Sequence, residues 1–226
     1  MSDRIVESTI VESKTEESKA LESTALERTA LERTAVYSFD EIPYTKSAEI
    51  YRLFAQGKVL NKQRYDDVQG CLVDDDLFTL VFQKITHFTL FFKHMGYELK
   101  FDEQGDFYYT QDLRDISNDE SDDNAMKIQA VILFIGRYYA TIGDLAQLAD
   151  PMFGLKEVDV DALKQDDMLA SSLKALRLEN WDKALEYLTS RNLIFRIAKD
   201  KYVFSNAAMT FLHRLIDAHT EFVNQD

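Results

Sequence analysis

The sequence predicts a mainly α fold with small β-hairpins (α+β), built as two units in which helices are followed by a hairpin. Three observations predict it. Apolar residues at helical spacing, a glycine stop and a strict two-residue alternation follow one another over residues 77–111. The same order returns over 168–205, where Asn192 stands at the stop. Between them, residues 112–123 (DLRDISNDESDD) hold six acids and one base, the composition of a solvated linker.

Taken in order, residues 1–40 come first, and from Ile5 they repeat in fives: IVEST, IVESK, TEESK, ALEST, ALERT, ALERT. Five residues of α-helix advance about 140° past a full turn, so the apolar pairs wander round a helix and form no stripe. This segment reads as a low-complexity tail, disordered or weakly helical. The first unit is expected over 41–111. After Pro43, Thr45 or Ser47 can cap a helix that runs to about Gln56 and stops at Gly57, and 61–69 reads as a second short helix ending at Gly70. Asp74, Asp75 and Asp76 offer an N-cap to one long helix carrying Leu77, Leu80, Val81, Ile85, Phe88, Phe92 and Met95, stopped by Gly96. Residues 97–102 (YELKFD) alternate as a strand, 103–106 turn, and 107–111 return.

The second unit is expected over 124–226, with Asp123 or Asn124 capping a helix over 125–140 whose centre is apolar nearly all round. A short helix over 143–149 stops at Asp150 and Pro151, and a polar stretch of about fifteen residues follows. Helical spacing resumes at Met168 and carries Leu169, Leu173, Leu176, Trp181, Leu185 and Leu188. Residues 193–198 and 201–205 form a hairpin around Lys199 and Asp200, and a final amphipathic helix carries Ala208, Phe211, Leu212, Leu215, Ile216 and Phe222. Helices followed by a hairpin, twice over, is the layout of tandem winged helices.

The chain has 226 residues, 40 acidic against 26 basic, for a net charge of −14. That balance argues against a general nucleic-acid coat protein. A lone cysteine, Cys71, excludes a fold stapled by internal disulfides. Neither a signal peptide nor a span of roughly 20 apolar residues is present, so a soluble cytoplasmic protein without a membrane partner is expected. No phosphate-binding glycine loop, dinucleotide turn, H-E-x-x-H, Cys-x-x-Cys, calcium loop or nucleophile elbow occurs, so neither catalysis nor a cofactor nor a metal is expected. The four histidines (His87, His94, His213 and His219) read as ordinary surface or core residues.

Winged helices often read DNA, so the placement of the cations bears on function. Lys174, Arg177, Lys183 and Arg191 lie before the second hairpin, with Glu179, Asp182 and Glu186 among them. Arg196, Lys199 and Lys201 surround that hairpin's turn, and Lys58, Lys62 and Arg64 form a patch in the first unit. A helix that reads base edges keeps acids away from phosphate, and these do not. Lys58, Lys62, Arg64, Lys174, Arg177, Lys183, Arg191, Lys199 and Lys201 are therefore candidates for weak, non-specific phosphate contact. The alternative is a winged-helix transcriptional regulator. More than half of the excess acid lies in 1–40 (nine acids, five bases) and 112–123, which leaves the two units nearly balanced and room for a modest phosphate contact on either hairpin.

Residues 96–110 (GYELKFDEQGDFYYT) resemble the first hairpin of the KITE subunits (kleisin-interacting tandem winged-helix elements) of bacterial condensin-like SMC complexes, of the MksE and MukE kind. Residues 127–145 are similar to the start of their second winged helix, and 185–204 (LEYLTSRNLIFRIAKDKYVF) to its last helix and hairpin. The resemblance covers about 45–222, and the short end after the last helix favours the MksE type. It implies a non-catalytic subunit that dimerises, binds the kleisin (MksF- or MukF-like) and, through it, regulates DNA entrapment by the SMC ATPase (MksB- or MukB-like). It also implies a nucleoid-associated place in the cytoplasm and a role in chromosome condensation and segregation or in plasmid restriction.

Overall fold

Residues 42–113 and 119–223 are described by a computed structural model, so the repeat tail expected over 1–40 lies outside the described residues. Among the described residues there are eight α-helices and three small antiparallel sheets, the α+β class the sequence predicts.

Helix α1 (Tyr44–Ala55) buries Ile50 and Phe54 and stops at Gly57, which takes a φ of +67°. Its N-cap is Pro43 and no side chain caps it, so neither Thr45 nor Ser47 plays that part; both lie inside the helix. Strand β1 (Leu60–Asn61) follows. The helix expected over 61–69 is instead a hairpin of β2 (Gln63–Asp66) and β3 (Cys71–Asp74). Its turn is closed by Asp66 Oδ1, which accepts from Val68 N (2.8 Å) and Gln69 N (3.0 Å), with Gly70 left-handed behind it.

Asp75 caps α2 (Asp76–Gln83), its carboxylate accepting from Leu77 N at 2.7 Å. The single long helix expected here breaks at Lys84 (φ −117°, ψ 35°), and α3 (Ile85–His94) takes a new direction. A straight helix presents its stripe to one wall only. The break lets Phe88 and Phe92 join Leu77, Phe78 and Val81 around Ile50 and Phe54 in one core. Strands β4 (Tyr97–Asp102) and β5 (Phe107–Asp112) form the first expected hairpin, and β1 pairs with β5 to give the order β1-β5-β4.

Helix α4 (Asp119–Ile142) begins before its expected caps. Asp123 lies within it and pairs with Lys127 one turn on (2.6 Å), a hydrogen bond that holds its carboxyl below the usual range. Asn124 accepts from the Tyr187 hydroxyl at 2.8 Å. The short helix expected over 143–149 is a 3₁₀ turn (Leu145–Ala149) capped by Asp144. The polar stretch after it holds two elements the spacing did not show, β6 (Leu155–Lys156) and α5 (Glu157–Lys164).

The helix expected from Met168 onward is two, α6 (Asp167–Ala175) and α7 (Trp181–Thr189). Between them Arg177 turns left-handed (φ 59°), Leu178 N bonds back to Leu173 O at 2.9 Å, and Asn180 caps α7. Asn192 supplies the expected left-handed stop (φ 59°) before β7 (Ile194–Ala198) and β8 (Lys201–Phe204). Helix α8 (Asn206–Val223) closes the chain and buries Ala208 and Leu212. The second sheet runs β6-β8-β7, the order of the first: a short strand after the leading helix pairs with the returning strand of the hairpin.

The two halves are packed on each other. Val59 and Phe107 belong by sequence to the first half, yet they lie in the core that α4–α8 build. Phe107 meets Phe211 edge to face at 5.6 Å. The Val59 N–H bonds Arg191 O (3.1 Å), Asn192 Nδ2 donates to Val59 O (3.0 Å), and Asn61 Nδ2 donates to Asn192 O (2.7 Å). Asp102, nearly buried, takes Arg214 at 2.7 Å and Gly105 N at 3.0 Å. A Cβ on Gly105 would stand 2.7 Å from Thr210 Oγ1 and 2.6 Å from the Phe107 ring. The turn of the first hairpin is thus held against α8.

Candidate interaction surface

The inter-half bonds lay residues 58–64 alongside 191–196, which brings cations from both halves to one seam. Val59 sits against Arg191 and Asn192, and Gln63 and Leu72 line a small gap with Phe195 and Ser205. Several of the candidate phosphate contacts are already engaged there. Lys62 pairs with Asp106 at 3.0 Å and Arg64 with Asp66 at 3.8 Å. The Arg191 guanidinium lies 4.0 Å above the Tyr187 ring. Lys58, half-buried, forms no ion pair among the described residues.

The other candidates sit further along the second half. Lys183 donates to Glu186 at 2.7 Å, and this bond raises its pKa. It shares a shallow hollow with Arg177, Glu179, Glu186 and Tyr187, so acid and base alternate around it. Lys201 is committed to backbone, reaching Pro151 O at 2.6 Å and Met152 O at 2.8 Å. At the second hairpin's turn the Arg196 guanidinium folds over the Lys199 carbonyl, with Nε at 3.0 Å, which stiffens the turn while the Lys199 side chain stays exposed. Lys174, Arg177 and Lys199 are exposed and make no ion pair among the described residues. Of the nine candidates, these three combine exposure with the absence of an ion pair among the described residues, although the Arg177 charge also acts on the Asp123 carboxylate.

Apolar surface is the feature the sequence reasoning missed. Phe82 is 61% exposed and stacks on Phe78, and Phe101 leans on Tyr108 at 4.8 Å. Val158 is 68% exposed, Met168 60% and Ile142 55%. Some exposed apolar side chains are ordinary, whereas a contiguous set marks a surface that a partner covers. The signal was available: Val158 and Met168 sit in helices whose buried faces are already filled by other residues.

The polar groups inside the fold have structural work. His87 is buried and stacked on Phe91 (6.2 Å, 9° between planes) in the first core. The Tyr139 hydroxyl lies 2.6 Å from Gly154 O and 2.8 Å from Asp159 Oδ2, and its proton is shared between them. Burial first, and then the Asp159 carboxylate, push the Tyr139 pKa well above its usual value. Asp159 also accepts from Lys156 N at 2.9 Å, so this cluster pins β6 and α5 to α4. No group of three or more His, Cys, Asp or Glu side chains that could hold a metal occurs among the described residues. Nor is any helix among them long and apolar enough to cross a membrane.

No curated protein matches the chain. The family model of the condensin complex protein MksE matches residues 45–216, from the first turn of α1 into α8, and so takes in both cores, all three sheets and the seam between the halves. With residues 45–216 of its 226 matched, the chain belongs to the MksE family of condensin complex proteins.

Proposed function

We propose that the chain is a non-catalytic accessory subunit of a bacterial condensin-like SMC complex, a tandem winged-helix protein that dimerises and binds the kleisin. Through the kleisin it would regulate DNA entrapment by the SMC ATPase, in chromosome segregation or plasmid restriction. The observation that carries this reading is the family match across both halves of the fold. The repeated sheet order, each with a short strand beside the returning hairpin strand, supports the winged-helix reading, with 41–111 and 124–226 as the two domains. Exposed apolar side chains beside filled cores suit a subunit whose partners cover them. Coexpression with the kleisin of the same host tests it. A stable complex that survives size exclusion is expected, and a chain that elutes alone as a monomer would overturn the proposal.

A secondary role is weak phosphate contact by the exposed cations Lys174 in the last turn of α6, Arg177 on the α6–α7 turn and Lys199 on the second hairpin's turn. Acids interleaved with them fit a contact that adds to a clamp rather than one that reads sequence. A sequence-specific footprint would favour the regulator reading instead.

A further inference from the structure

A hollow in the second half, between α4 and the α5–α6 corner, carries one charge of each sign on its walls. On α4, Phe134, Arg137, Tyr138 and Thr141 follow one another at i, i+3, i+4 and i+7, and this stripe faces the hollow. The opposite wall is the α5–α6 corner, with Ala162 on α5 and Asp166 at the N-cap of α6. Three exposed apolar residues of this half stand near that lining in sequence. Ile142 follows Thr141, Val158 precedes Ala162 by one helical turn, and Met168 precedes Leu169, which lines the hollow.

Charge selects the occupant. Arg137 stands on one wall and makes no ion pair among the described residues. Asp166 stands on the other; its Oδ1 accepts from Met168 N (2.9 Å) and Leu169 N (3.1 Å). A phosphate backbone would meet Asp166 unfavourably, whereas a helix with a carboxylate on one flank and a cation on the other satisfies both walls. The stripe covers about two helical turns, roughly 10 Å of α4. A lining of eight residues is far below the roughly 20–30 residues a side that a stable interface between folded proteins uses. A short segment suits that lining better than a second folded copy does.

We infer that this groove binds an amphipathic helical segment of the kleisin, apolar on the face that enters and flanked by an acidic residue toward Arg137 and a basic one toward Asp166. The inference rests on the proposed kleisin-binding role and assigns it a face.

The test uses the full chain and the kleisin, with affinities from calorimetry. Ala162→Trp fills the groove, Arg137→Glu inverts one wall, and Asp166→Asn removes the other charge while keeping the α6 cap. Each is expected to weaken binding by about tenfold or more, with unchanged thermal melting, while Lys46→Gln on the exposed side of α1 changes it by less than about twofold. A photocrosslinking residue at Thr141 should capture one amphipathic kleisin peptide. Wild-type affinity in all three groove variants, or a crosslink to a second copy of this chain, overturns the inference while leaving the kleisin role standing. No binding by the wild-type chain removes the kleisin role itself.

Discussion

Asn192 offers a measurable test of how the two halves are held. It does two things at once: it adopts φ 59° before β7, and its side chain donates to Val59 O across the seam at 3.0 Å. Alanine there would keep a Cβ in the left-handed region without Asn's local compensation, at a cost of about 1 kcal/mol or more. It would also lose a part-buried hydrogen bond between the halves, worth about 1 kcal/mol. Asn192→Ala should therefore destabilise the protein by about 2–3 kcal/mol, which lowers the melting temperature by roughly 5–10 °C at this chain length. Asn192→Gly keeps the backbone conformation free and loses the bond, so about 1 kcal/mol is expected. Urea melts followed by circular dichroism give both values. Because Val59 and Phe107 sit in the core of the other half, one cooperative transition is expected in every variant. Equal costs for Ala and Gly would refute the left-handed argument. Two separated transitions in the wild-type protein would refute the shared core.

Gly154→Ala should cost about 2 kcal/mol or more in the same melts, since its Cβ would sit 2.5 Å from the Tyr202 carbonyl oxygen at a φ of +57°. Gly143→Ala, whose Cβ would meet only the flexible Gln147 side chain at 3.5 Å, should be neutral to stabilising by about 0.5 kcal/mol. Burial raises the Asp75 carboxyl above its unfolded value of 3.8, so the folded state binds this proton more tightly and stability falls as pH climbs from 3.8 through the folded pKa. Asp75→Asn keeps the cap to Leu77 N and should match or exceed the wild type at pH 7, with its advantage lost below pH 4, whereas Asp75→Ala should cost about 1 kcal/mol. For DNA, the triple variant Lys174→Gln, Arg177→Asn and Lys199→Gln should lower non-specific affinity and flatten the salt dependence by roughly one unit of slope per cation. Lys201→Gln should leave the slope as it was, because that ammonium is held by two backbone carbonyls.

What could be read in the residues was whatever carries its own period or stop. The 97–102 alternation and the turn before Phe107 gave the first hairpin, and Asn192 the stop before the second. Elements of two residues have no period, so β1 and β6 exist only because β5 and β8 lie beside them. The breaks at Lys84 and Arg177 carry no glycine or proline; packing of Phe88 and Trp181 into their cores makes them, and that is a tertiary cause. Among the candidate cations, residue type could be listed in advance but charge availability could not. Lys62 is paired with an aspartate 44 positions away, and the Lys201 ammonium is held by carbonyls 50 and 49 positions away. The groove between α4 and α5 escaped because α5 itself was read as polar loop.

The two halves share a strand order but not a fate for their hairpins, and that difference sets what each can do in a complex. The first hairpin's turn is closed by Asp102 on Arg214 and by Gly105 against Thr210, so its tip is part of the joint between halves. The second hairpin's turn faces outward, stiffened by Arg196 on its own carbonyls, with Lys199 free. A repeated unit whose copies both faced outward would offer two equivalent surfaces. Here one copy holds the molecule together, while the other carries the outward hairpin, the exposed α6–α7 cations and the amphipathic groove. The −14 charge does not oppose this division, because 124–226 holds 14 acids against 12 bases and is close to neutral. A polyanion can therefore approach the second half on its hairpin and α6–α7 side. On the proposed reading the groove, with an aspartate on one wall, would be left to a peptide, and one subunit would hold a kleisin helix and touch DNA without the two competing for one surface.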